Sequence, residues 1–122
     1  MALPADAIRL TLPAQAPFAR VARLAISGLA ARSGFAYDEV QDVRIAVGEA
    51  FGILVDSDEL RLRFTCVVDD DEVEVRAERV PPAPVPPVNE LSRQILTAVT
   101  DRAEIDEQAG AITFAKRTVL AA

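Results

Sequence analysis

Hydrophobic positions along the chain change period several times, and each change predicts an element. Ile8-Arg9-Leu10-Thr11-Leu12 alternates apolar and polar residues, the two-residue period of a strand, and Pro13 ends it. Residues 17–31 then place Phe18, Val21, Ala22, Ala25 and Leu29 on one helical face, with Arg20, Arg23 and Ser27 opposite and Gly34 as a left-handed C-cap. Residues 38–55 carry apolar side chains at 40, 43, 47, 50 and 54, the spacing of a buried helical stripe, with Asp38 as N-cap. Winding of about 100° per residue sets Glu49 on the flank of that stripe, with Ile53 one turn further on beside it.

Beyond a polar turn at Asp56-Ser57-Asp58 the period drops to two. Leu60, Leu62, Phe64 and Cys66 point one way and Arg61, Arg63 and Thr65 the other. Asp69-Asp70-Asp71 turns the chain into a return strand with Val73, Val75 and Ala77 inward, which offers Glu72 and Glu74 to Arg61 or Arg63 across the ladder. Residues 80–88 hold Pro81, Pro82, Pro84, Pro86 and Pro87, so they form neither helix nor inner strand. They read as a stiff connector across one edge of the domain, or else as a ligand for a proline-recognition module. Asn89 caps a third helix whose buried row is Leu91, Ile95, Ala98 and Val99, and a hairpin over residues 103–116 closes the chain through a turn at 107–110. The order β-α-α-β-β-α-β-β predicts an α+β two-layer sandwich, a mixed and mainly antiparallel sheet with helices on one face.

Composition narrows the chemistry. The chain has 122 residues, enough for one core, and residues 1–122 read as a single domain. Net charge is -6, which opposes nucleic-acid binding because no basic stripe is available to neutralise phosphates. With one cysteine and no histidine, an internal disulfide, a zinc site and imidazole catalysis are all excluded. Residues 1–12 contain Pro4, Asp6 and Arg9 and no uninterrupted apolar run, so they predict neither a signal peptide nor a membrane span. The expectation is a cytoplasmic protein that binds neither nucleic acid nor membrane.

The element order, with Phe18-Ala19-Arg20-Val21 in the first helix, Ala46-Val47-Gly48-Glu49-Ala50 in the second and the tail from Asp101 to Lys116, resembles the bacterial anti-sigma-factor serine kinases of the GHKL ATPase superfamily. The likeness covers residues 10–116. It implies the family's Bergerat-type fold and, in a complete member, ATP with Mg²⁺ held beneath a flexible lid. Family members pair a glutamate general base with a magnesium-binding asparagine four residues later; here Glu49 is kept, but Ile53 stands at the asparagine position. The family's adenine-binding aspartate falls at Ala77 and its first glycine at Arg79, with Glu78 one place off and so on the other face of the strand. The glycines that open the last helix for phosphate fall at about Glu90 and Ser92, and residues 80–88 replace the lid.

The resemblance thus implies a degenerate member, pseudokinase-like, that takes no cofactor, with ATP and Mg²⁺ as the alternative. Glu49 is then a vestigial catalytic residue, an ordinary surface or paired carboxylate. The implied function is transcription regulation by protein binding: a sigma factor or an anti-anti-sigma (STAS-type) protein is sequestered, with a homodimer formed through the first strand and helix. The alternative is an active, divergent serine protein kinase. In the family an arginine at the place of Arg20 meets those partners, so the candidate partner surface is Arg20, Arg23, Leu24 and Ser27; the competing reading is a solvated helix face.

Overall fold

The computed structural model describes residues 7–55 and 59–119. The turn expected at Asp56-Ser57-Asp58 lies outside them, as do Pro4 and Asp6. Five strands are present: β1 (Ile8–Pro13), β2 (Arg61–Val68), β3 (Glu72–Val80), β4 (Arg102–Asp106) and β5 (Ala111–Arg117). The three helices are α1 (Ala19–Arg32), entered through a 3-10 turn at Ala16–Phe18, α2 (Tyr37–Leu54) and α3 (Glu90–Val99). The sheet order is β1-β2-β3-β5-β4, and every neighbouring pair is antiparallel, so no parallel pair mixes into it.

Register follows from alternation. Leu10, Phe64, Ala77, Ile112 and Ile105 fall opposite one another in successive ladders, a row of apolar side chains that runs across the sheet on its helix-bearing face. Phe64 is fully buried and stacks on Phe51 of α2 with ring centroids 6.1 Å apart. Each such side chain contributes roughly 1.5–3 kcal/mol through burial. α2 is the central helix, packed between α1 and α3. Gly34 adopts φ +90°, the left-handed end expected after α1. The Asn89 side chain accepts the Ser92 amide at 2.8 Å, the expected cap of α3.

Four local expectations are corrected. The N-cap of α2 is Ala36, not Asp38: its amide donates to the Glu39 carboxylate at 2.8 Å, which moves the helix start two residues earlier. The buried side of α1 is Ala22, Ile26, Ser27 and Ala30, while Val21 and Ala25 face out. In α3 the fully buried side chain is Leu96, with Leu91 and Ala98 exposed. Glu72 and Glu74 bond Arg102, which reaches across β5, because the hairpin register sets Arg61 opposite Val80 and Arg63 opposite Glu78. Among the described residues no helix is long and apolar enough to cross a membrane.

Candidate functional site

The inward row of β3, Val73-Val75-Ala77, continues in phase to Arg79, which is only 4% exposed. A buried guanidinium is costly unless its donors are met. Arg79 Nε donates to the Leu54 carbonyl at 3.0 Å, Nη2 to that of Val55 at 3.4 Å and Nη1 to that of Pro84 at 2.8 Å. The first two acceptors belong to the C-terminal end of α2, where the helix dipole favours a cation. The third belongs to residues 80–88, so one side chain ties sheet, helix and connector together.

That connector is an anchored strut. Val85 is buried and its amide donates to the Glu107 carbonyl at 2.9 Å, while the Val88 amide donates to the Glu107 side chain at 2.8 Å. Gly110 is required underneath: at φ +66°, a Cβ there would meet the Ala83 oxygen at 2.1 Å. With its outer prolines exposed and its inner face committed, the segment behaves as the stiff connector its composition predicts.

Beside the strut, Glu49 is half-buried on the rim of a cleft of about 310 Å³, shared with Ile53, Pro86, Pro87, Asn89 and Ser92. Ile53, in place of the family's asparagine, offers no oxygen to a cation. The Ser92 amide, in place of a bare phosphate-binding amide, is already taken by Asn89. Ala77 is fully buried and supplies no carboxylate to an adenine; Glu78 lies on the other face of the sheet, within 3.6 Å of Arg63 and 3.7 Å of Arg76. Among the described residues no cluster of three His, Cys, Asp or Glu side chains could hold a metal. These residues do not fit a magnesium nucleotide held in the family manner.

On the outer side of the helix layer, Arg20 and Leu24 are exposed and Arg23 is half-buried. Ser27 does not join them. It is 8% exposed and its hydroxyl donates to the Arg23 carbonyl within α1, so that position is withdrawn from the candidate surface. The sequence reading named Arg79 only as a replaced glycine and gave no role to Arg44 or Ile45. Two of the three carried a signal: Arg79 is a charge in phase with an inward strand row, and Ile45 is an apolar residue out of phase with the α2 stripe.

A second polar centre joins the N-terminus of α2 to the end of β5. The buried Glu39 carboxylate accepts the Ala36 amide, the Thr118 hydroxyl and the Val119 amide at 2.7–2.8 Å. Burial pushes its pKa up, but these donors and the Lys116 charge together hold it below its ordinary value of 4.5. Lys116 bonds Asp42 at 2.9 Å. Burial alone pushes the Cys66 thiol up to about 12, which leaves it un-ionised and inert.

No family model matches the chain. The chain is similar to the serine-protein kinase RsbW of Halalkalibacterium halodurans, 45% identical over 51 residues that make up 42% of this chain and 32% of that protein. It is 36% identical to RsbW of Listeria monocytogenes over 62% of this chain and 52% of the relative. These alignments span about a third to a half of the relatives' length. RsbW of Oceanobacillus iheyensis is 27% identical over 93% of this chain and 87% of its own. The fold matches a crystal structure of the RsbU and RsbW domains of Rv1364c from Mycobacterium tuberculosis with TM-score 0.66 and 18% identity, over 94% of this chain and 32% of that one.

Proposed function

We propose that this chain, similar to the RsbW serine-protein kinases over part or most of its length, is an anti-sigma-type regulator that works without nucleotide. It holds a sigma factor or an anti-anti-sigma, STAS-type protein by surface complementarity and denies that partner its next contact, with no phosphoryl transfer. The observation that carries this reading is Arg79: where the family keeps a glycine for nucleotide to approach, a buried guanidinium bonds the end of α2 to the strut. β1 lies at a sheet edge, and its outer side pairs with no described strand, which supports a dimer through the first strand and helix.

Calorimetric titration with ATP and Mg²⁺ tests the reading: no heat of binding is expected, and micromolar affinity would overturn it. Variants test it from the other side. Glu49→Ala is expected to leave partner affinity unchanged, whereas Arg20→Glu weakens it by about 1 kcal/mol or more. The second reading, a divergent serine kinase, is favoured by the cleft beside Glu49. A folded Glu49→Ala variant that has lost regulatory function supports that reading instead.

A further inference from the structure

Between α1 and α2, on the side away from the sheet, runs a groove of about 400 Å³ lined by Arg23, Arg44, Ile45, Gly48 and Glu49. The aliphatic stem of Arg23 lies across α2 at Gly48, where an added Cβ would come to 3.4 Å from it, an ordinary contact. Two large apolar side chains here stay out of the core: Ile45, which lines the groove, is 45% exposed, and Leu24, next to Arg23 in α1, is 56% exposed.

The charge on this face opposes that of the molecule. Net charge is -6, yet Arg20, Arg23 and Arg44 gather on this side, and none of their guanidinium groups has a hydrogen-bond or ion-pair partner among the described residues. Several other arginines are committed: Arg63 and Arg76 to Glu78, Arg93 to Glu107, Arg102 to Glu72 and Glu74. Glu49 closes one end of the groove.

We propose that the α1–α2 groove receives an acidic amphipathic helix of the partner protein, whose apolar side packs on Leu24 and Ile45 while its carboxylates meet Arg23 and Arg44. A helix laid in a groove by one apolar face suits this trough between two helices. Guanidiniums at its border suit carboxylates, through bidentate bonds that lysines would not make. The inference rests on the regulatory reading above and gives its partner a chemistry.

The probe is a designed amphipathic peptide of about 18 residues, apolar on one face and glutamate-rich on the other, with a lysine-rich twin as control. Titration into the ¹⁵N-labelled chain is expected to shift amides of residues 20–28 and 44–49, to weaken as salt rises, and to weaken roughly tenfold in an R23E/R44E double variant that keeps its dispersed spectrum. Ile45→Ser, which leaves the charges alone, weakens it as well. Absent or scattered shifts, equal binding of the lysine twin, or no loss in the folded variants overturn the groove. A sigma factor or STAS-type protein bound equally well by wild type and R23E/R44E removes the groove and keeps the regulatory reading. Peptide bound here with no such protein bound anywhere removes the regulatory reading and keeps the groove.

Discussion

A charged side chain placed among apolar ones returns its desolvation cost only if every donor finds an acceptor, and Arg79 meets that demand with carbonyls that would otherwise be orphaned. Arg79→Ala removes the donors and leaves buried acceptors behind. The expected loss is roughly 3 kcal/mol in urea unfolding, with faster hydrogen exchange at Val85 and Val88, whose amides report on the strut. A variant that unfolds as wild type does would remove the tie. Glu39 gives a pH signature. Its folded pKa lies below the unfolded one, so its contribution is complete above the ordinary carboxylate range and lost as pH falls through the folded value. Glu39→Gln is expected to be less stable than wild type at neutral pH, with the two curves converging in acid; parallel curves would contradict the assignment.

At the scale of elements, strands and the phase of α2 were legible in the sequence, and the phase of α1 and α3 was not. A two-residue period leaves only two choices of face, and runs such as Val73-Glu74-Val75 choose between them, so both hairpins and the outward face of Glu78 could be read directly. Helices wind by about 100° per residue, and a helix with two apolar rows does not reveal which is buried. α1 carries Val21, Ala25 and Leu29 beside Ala22, Ile26 and Ala30; α3 carries Leu91, Ile95 and Ala98 beside Leu96. Packing against α2 decides each case. The unburied row is then informative, since Val21 and Leu24 are free because Ile26 is not. For α3, Leu96→Ala is expected to cost about 2–5 kcal/mol, and Leu91→Ala to stay within about 0.5 kcal/mol, measured by chemical denaturation. Equal costs would reverse the orientation given for α3.

As a whole, the molecule shares its sheet and helix layer with the RsbW domain it matches in fold, and on the proposed reading Ala77, Arg79, Ser92 and Ile53 stand where a nucleotide's adenine, phosphates and metal would be held. The departures from the family's motifs were legible in the sequence; the bonds of Arg79 were not, because its partners come from α2 and the strut, distant in sequence and joined only in the fold. The direct test of the proposed function is the affinity of the chain for a sigma factor or STAS-type protein, measured with and without ATP or ADP and Mg²⁺. The account predicts the same dissociation constant in all cases; an affinity that rises or falls with nucleotide would contradict it.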